Sequence, residues 1–555
     1  MTMPAKFLTG MLVLFISIAS FAQPFSKADK QLIAAFDTLL SAKFKKDDPG
    51  ATVLVSRKGQ VIFQKGFGMA DMELKVPMRP EMVFRIGSIS KQFTAVAILQ
   101  LMEKGKLSLQ DDIKKFIPDY PTHGYTITVE HLLTHTSGIK SYTGMSNFDS
   151  IMNMDMKPLE MIAYFKNQPM DFAPGTQWNY NNSGYFILGY IIEKVSGLTY
   201  EEYVKENLFK TPGMMHSAYG NDTRLIPNRA KGYQQGKDGY ENARPLSMTL
   251  PYAAGSLVST VEDLWKWNQA VHAYKLVSKE SLQKAFTDYK LVNGKPTKYG
   301  YGWGFNDVQG AATIEHSGGI NGFVTDALYI PAEDIFVAIF ANCDCRSLDM
   351  EAPQLAALTM GKPYIKKEIT IDEATAKQYS GVYENETGEQ RFITAEGNQV
   401  ISQRGGGNKF KLKACEKDGF FFENSLSTMR FIRNAGGQVE KLEFKSRNEK
   451  SEWKRTNKPL PEKPTAVKMD AALLAAYVGE YELAPGFIMT VTVEGDKMMV
   501  QATGQSAIQV YAETATRFFP KEIDAKIEFF KDAAGKVTHL VLYQGGRETK
   551  GNKIK

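Results

Sequence analysis

Ser88 and Lys91 stand three residues apart in "RIGSISKQFTAVAILQLMEKGKL", ahead of an apolar run from Phe93 to Met102 that stops at Lys104-Gly105. A serine hydroxyl is a poor nucleophile until a neighbouring base takes its proton, and a lysine can be that base only when desolvation lowers its pKa. Residues i and i+3 of a helix share a face, so the Lys91 amine can reach the Ser88 oxygen. A helix N-terminus adds free N–H groups and a dipole that favour negative charge developing on a substrate oxygen. The pattern by itself is weak. Ser-x-x-Lys recurs at Ser137/Lys140, Ser281/Lys284 and Ser451/Lys454, and a helix cap followed by a solvated lysine explains an isolated match. Only Ser88 follows a glycine and precedes so continuous an apolar helix. Such a helix is buried, and its N-terminus points from the core into a cleft.

Two further stretches supply partners. Tyr180-Asn181-Asn182 is a Tyr-x-Asn placed just before a second apolar helical pattern, "GYFILGYIIEKVSG", whereas the copies at Tyr240 and Tyr383 lack that setting. His316-Ser317-Gly318-Gly319 lies between apolar runs. With these in order, residues 30–360 resemble the serine hydrolases that include class C β-lactamases, D-alanyl-D-alanine carboxypeptidases and D-aminopeptidases. The wording of "IGSISKQFTA", "DDIKKFIPDYP", "HLLTHTSGI", "YNNSGYFILGYIIE", "AAGSLVSTVEDL" and "YGYGWGF" carries the likeness. The resemblance implies an α+β catalytic domain, an antiparallel sheet flanked by helices with a helical subdomain. It implies that Ser88 forms an acyl-enzyme, that Lys91 and Tyr180 share the proton transfers, and that Asn182 orients Lys91 and the substrate amide. The N–H groups of Ser88 and Gly319 would form the oxyanion hole, and Gly318 would keep the strand edge open. No metal or cofactor is required.

His316 departs from the Lys-Thr-Gly of the lactamases. An imidazole is mostly uncharged at neutral pH, so a permanent cation for a substrate carboxylate is absent. His-x-Gly followed by two β-domains is most similar to the D-aminopeptidase arrangement. Other features have plainer readings. His131 and His135 are four apart but have no acidic third ligand beside them, so they read as structural. Trp178 and Trp303 read as packing, and Arg85 as either a cleft residue or a surface salt bridge. The absence of His-Glu-x-x-His and Gly-x-Ser-x-Gly removes two other hydrolase classes.

The whole chain bounds these readings. Its 555 residues are 43% hydrophobic and carry a net charge of +6 without a long basic block, which suits several globular domains and disfavours nucleic acid binding. Lys6, the run "FLTGMLVLFISIA" and Ser20-Phe21-Ala22 predict a signal peptide over residues 1–22, hence a periplasmic or secreted protein with no stable membrane span. Cys343, Cys345 and Cys415 give no disulfide framework and read as structural, with a bridge from Cys343 to Cys415 left open.

Residues 23–365 mix helical and strand patterns and form the hydrolase domain. Beyond about residue 370 short alternating runs and Gly, Asp and Asn turns predict antiparallel β. That region repeats: "YSGVYE" at Tyr379 and "YVGEYE" at Tyr477, "EGNQV" and "EGDKM", and Gly437-Gln438-Val439 and Gly535-Lys536-Val537 share one offset of about 98 residues. Two copies, 370–458 and 468–555, each have room for about eight strands closed into a small lipocalin-like barrel, joined by the Pro-rich "TNKPLPEKPTAVK". The Gly-rich loops "QRGGGNK" and "QATGQS" are candidates to lie over the cleft.

The expected activity is therefore an exported peptidase or esterase acting on small peptides, amides or esters. The alternatives are a β-lactamase or D-alanyl-D-alanine carboxypeptidase, and, from another class, an inactive ligand- or partner-binding protein. An oligomer is compatible with all three.

Overall fold

A computed structural model describes residues 26–364, 367–405, 407–461, 466–484, 486–521, 523, 525–544 and 547–555. The predicted signal peptide lies outside the described residues, as does part of the Pro-rich linker. Among the described residues no helix is long and apolar enough to cross a membrane.

Helix α1 (Lys27–Lys43) opens on a capping box in which Ser26 and Asp29 satisfy each other's backbone N–H groups. Strands β1 (Ala51–Arg57) and β2 (Gln60–Phe67) form a hairpin whose turn, Lys58-Gly59, takes two positive φ angles. The chain then builds a helical lobe and returns as β3 (Gly304–Val308), β4 (Ala311–Ile320), β5 (Phe323–Ile330) and β6 (Ile335–Ala341). The sheet order is β3-β4-β5-β6-β1-β2, antiparallel throughout.

Strands β1 and β6 are buried on both faces, which explains their unbroken apolar sequences. On one face Val53, Val55, Val337 and Ile339 pack against α1 and a late helix, Glu351–Thr359. On the other, Leu54, Ala338 and Phe340 join the core of the helical lobe. Through that core runs α2 (Ser90–Glu103), buried at every residue from Ser90 to Leu99. Beside it lies α3 (Asn182–Ser196), closed at Gly197 in the left-handed conformation, φ 77°.

Both predicted barrels are present. Eight antiparallel strands from Gly381–Glu384 to Glu449–Arg455 close by pairing Tyr383 with Arg455, and eight more from Gly479–Ala484 to Arg547–Lys553 close by pairing Tyr481 with Lys553. The repeated tyrosines do the same work in each copy: Tyr383 donates to the Tyr379 carbonyl and Tyr481 to the Tyr477 carbonyl, both at 2.7 Å. The interiors are packed with side chains, Phe420, Phe431 and Trp453 in the first and Met498, Phe518 and Phe529 in the second.

The first barrel docks on the sheet through one hairpin tip. Arg447 donates to both carboxylate oxygens of Glu315, at 2.8 and 2.6 Å, and to the Asp307 carbonyl at 2.9 Å. Asn448 donates to the Phe305 carbonyl at 2.8 Å. Of the two Gly-rich loops named above, "QRGGGNK" touches the second barrel, where Asn408 bridges to Ile523 and Lys409 reaches the Lys521 carbonyl. The cysteine reading also needs correction. Cys343 is bonded to Cys345, just after β6, and not to Cys415, whose thiol donates to the Gly419 carbonyl in the first barrel.

Candidate active site

Ser88 sits in a single 3-10 turn, Gly87–Ile89, immediately before α2. Close backbone approach fixes that turn against β4. A Cβ on Gly318 would lie 2.1 Å from the Ile86 carbonyl oxygen, so only glycine fits there. A Cβ on Gly87 would lie 3.1 Å from the Gly319 nitrogen, which puts that amide beside the serine turn. The Thr325 hydroxyl donates to the Ile86 carbonyl (3.0 Å) and ties in β5. Strand β3 pairs with β4 only from Ala311 to Glu315, so the backbone from His316 to Ile320 has no strand on that side.

Lys91 is fully buried. Its Nζ lies 3.1 Å from Ser88 Oγ, 2.8 Å from Asn182 Oδ1 and 2.8 Å from the Ala254 carbonyl at the end of a one-turn helix, Tyr252–Gly255. No carboxylate is among these partners. Burial therefore pushes the ammonium well below its usual range. Two of the three partners are carbonyl oxygens that can only accept. The third, Ser88 Oγ, can both donate and accept, so a neutral amine that gives its two N–H bonds to the carbonyls can accept from that hydroxyl.

The Tyr180 ring lies under that amine, 4.7 Å from Nζ to the ring centre. Its hydroxyl is buried, makes no hydrogen bond of good geometry and faces Ser88; burial pushes the phenol up, against a smaller opposing pull from the Ser88 hydroxyl. The segment is held from below by His135, whose ring centre is 4.3 Å from that of Tyr180 and whose Nδ1 accepts the Asn181 N–H at 3.0 Å. Asn181 caps α3 through the Gly184 N–H. Asn182 keeps its amide NH2 on Thr143 Oγ1 (3.2 Å) and so turns its carbonyl oxygen to Lys91.

His316 is 8% exposed and has both ring nitrogens occupied. Nδ1 lies 2.6 Å from the Ser317 carbonyl, which only accepts, so Nδ1 carries the proton. Nε2 is then the acceptor for the Tyr299 hydroxyl at 2.8 Å. Burial and the neighbouring Lys91 push the imidazole down to about 3, and it is uncharged at neutral pH.

Ser88, Lys91, Tyr180, Asn182, His316, Gly318 and Gly319 thus come together between β4 and the helical lobe. Sequence reasoning missed Tyr299, Ala254 and the role of His135 as a support. "YGYGWGF", "AAGSLVSTVEDL" and "HLLTHTSGI" already contained all three. Trp178, read as packing, is 39% exposed and stands 6.1 Å from the Tyr299 ring at the cleft edge, while Trp303 is buried beside Phe286. His131 Nδ1 accepts the Thr128 N–H, and among the described residues no cluster of three His, Cys, Asp or Glu side chains could hold a metal. The other Ser-x-x-Lys copies lead elsewhere: Lys140 pairs with Asp171 at the surface, Ser281 bonds the N-cap Ser278, and Ser451 accepts from Trp453 in the barrel.

The sequence model of the Beta-lactamase family matches residues 30–360. The chain belongs to that family. It is a serine hydrolase of this penicillin-binding and β-lactamase fold, carrying two C-terminal barrels. A second model, a domain of unknown function (DUF3471), matches residues 463–553, the second barrel. Penicillin-binding protein 4* of Bacillus subtilis is 28% identical over 95% of this chain and 99% of its own length. Among solved structures, the octameric penicillin-binding protein homologue from Pyrococcus abyssi is 28% identical, covers 77% of this chain and all of its own, and superposes with a TM-score of 0.54. The D-stereospecific amidohydrolase from a Streptomyces species is 25% identical over 61% of this chain and 99% of its own, with a TM-score of 0.51.

Proposed function

We propose that the chain is an exported hydrolase that works through an acyl-enzyme on Ser88, with D-configured amides or peptides and small esters as its substrates. The observation that carries this is the seat of Lys91, whose buried amine is met by two carbonyl acceptors and lies 3.1 Å from Ser88 Oγ. Lys91 takes the Ser88 proton as Oγ attacks the carbonyl. The N–H groups of Ser88 and Gly319 receive the oxyanion, and the dipole of α2 adds to them. The buried Tyr180 hydroxyl, free of other partners, passes the proton to the leaving amine or alkoxide, which completes the acyl-enzyme. Water then enters and the same groups run the transfer in reverse.

His316 does not touch substrate in this reading. It holds Tyr299 and through it the floor under Tyr180. The cleft therefore offers no fixed cation at the place where a lactamase lysine would hold a carboxylate, which favours neutral amides and esters over β-lactams. The Streptomyces amidohydrolase supports the D-preference.

The test is a fluorescent fluorophosphonate followed by peptide mass mapping, with turnover of D- and L-aminoacyl amides, short esters and nitrocefin alongside. Labelling of Ser88 with D-amide or ester turnover above nitrocefin is expected. A fully folded protein that neither labels at Ser88 nor turns over any of these is a binding protein instead.

A further inference from the structure

Beyond the cleft, a pocket of about 350 Å³ opens where β4 ends. Four cations, Arg85, Arg229, Lys231 and Arg244, line it with a single carboxylate, Asp222, and with Asn321 from the turn after β4. Arg85 and Arg229 both lean on one oxygen of that carboxylate, at 2.9 and 3.0 Å, so two guanidinium groups share one counter-charge. Asp222 is half exposed while Arg85 is largely buried, and Arg85 is lowered by burial and by Arg229 beside it. Lys231 is paired with Glu73, and Arg244 meets Asp149 at 3.3 Å. The Asn321 amide donates to the Arg244 carbonyl at 3.0 Å and joins the rim to the strand.

We infer that this pocket is a specificity subsite for an anionic group, a carboxylate, on the acyl portion of the substrate; the inference rests on the acyl-enzyme reading above. The unpaired edge of β4 runs from His316 to Ile320 and passes Ser88 at Gly318 and Gly319. Tyr180, the donor to the leaving group, stands with His316 and Tyr299 toward one end of that edge. The leaving group therefore lies on that side, and the acyl chain runs the other way, toward Asn321 and the arginines. A carboxylate there meets two planar donors set for charge-assisted bonds and restores the balance that Asp222 alone leaves short.

The experiment compares p-nitrophenyl esters of glutaric acid, with its distal carboxylate free, and of its monomethyl ester, equal in length and neutral. The ratio of kcat/KM values within each protein cancels any general loss. The free acid is expected to be preferred, the preference to drop about tenfold in Arg229→Gln, and Arg229→Glu to favour the neutral ester. Added salt should erode it as well. A ratio near one in the natural sequence, or one unmoved by either variant, overturns the inference. Calorimetric titration of full-length Ser88→Ala protein with monomethyl glutarate keeps the two readings apart, because binding needs no acylation. If Ser88 proves unreactive, binding lost in Ser88→Ala/Arg229→Glu still supports the subsite, and no binding at all rejects it.

Discussion

Two buried cationic side chains, Lys91 in the cleft and Arg391 inside the first barrel, face the same penalty and meet it in different ways. Neither hydrogen-bonds a carboxylate among the described residues. Lys91 has three oxygen neighbours and an ammonium that can lose its proton, so burial lowers it and suits it to the base role proposed above. Arg391 is 4% exposed, donates to Ser402 Oγ at 3.0 Å, and lies between the rings of Phe444 and Trp453, each 4.8 Å away. Burial and Arg404 lower it only to about 10, so it stays charged at neutral pH and the ring faces hold the charge. The second barrel repeats this position without the charge. In the same register stand Met489, Val500, Leu542 and Gly551, each 98 residues further on. Residue type thus decides whether a buried cation becomes chemistry or packing.

Lys91→Arg is the most severe way to break the comparison. A guanidinium cannot take the Ser88 proton, so acylation should fall by about 10²–10⁴, as much as in Lys91→Ala. Tyr180→Phe should cost about a hundredfold, and the double variant Lys91→Ala/Tyr180→Phe less than the product of the two, because the pair works as a unit. Stopped labelling with a fluorophosphonate measures each rate. Near-natural acylation by Lys91→Arg would remove the lysine from the proton path.

Arg447→Gly tests the contact by which the first barrel docks on the sheet, and it rewrites that tip toward the sequence of the second barrel, which has Gly545 and Gly546 where the first has Arg447 and Asn448. It leaves the partly buried Glu315 without its counter-ion, at a cost of about 3 kcal/mol. Limited proteolysis between the sheet and the barrel should accelerate, and the melting transition should fall or split. Unchanged cleavage and melting would mean that the hairpin only rests on the sheet.

How far the sequence reaches follows the same division. Ser88, Lys91, Tyr180 and Asn182 were legible because short spacings ahead of apolar helices name them, and the barrels were legible because they repeat. Tyr299 and Ala254 were not, although "YGYGWGF" and "AAGSLVSTVEDL" contain them, since each meets the site through the fold from a distant segment, one as a phenol on His316 and the other as a backbone carbonyl on Lys91. His316 was legible as an uncharged imidazole. Its engagement on both nitrogens depends on a carbonyl and a phenol that only the structure brings to it. Arg391 read as one more charge in an alternating strand, because nothing local says which side of a barrel wall an arginine faces.

A smaller effect comes from the neutral imidazoles near the cleft and beneath the sheet. Burial holds His316 at about 3, His272 at about 4 and His135 well below 6.5. Their folded values lie under the unfolded one, so the unfolded chain binds more protons in between. Stability is full above pH 6.5 and declines as pH falls toward 3, by up to about 1.4 kcal/mol per pH unit for each histidine. Lys91 obeys the same sign: if the amine is the base proposed above, acylation should decline as pH falls through its lowered value. Urea unfolding at stepped pH measures the first slope, and His272→Gln should flatten it. A slope unaffected by that change would place the proton uptake elsewhere.

The least effect is expected from rewriting the first barrel in the image of the second, with Arg391→Met and Ser402→Val. A guanidinium taken into a barrel costs several kcal/mol in hydration, which two ring faces at about 1–2 kcal/mol each and one charged hydrogen bond at about 1.5–3 roughly offset. The Arg391 Nε has no partner, so the balance is not better than even. A thioether of similar reach between Phe444 and Trp453 keeps the ring contacts and removes the hydration cost. The double variant should therefore melt at the natural temperature or above it, gaining at most about 2 kcal/mol, with Ser88 acylation unaltered. The reverse change, Met489→Arg, puts a charge among Leu542 and Gly551 where the first barrel has Phe444 and Trp453, and should unfold the second barrel first. If instead Arg391→Met destabilises by more than about 2 kcal/mol while Met489→Arg is tolerated, ring contact is not what separates the two interiors, and the arginine is anchored by water that the cation–π geometry does not reveal.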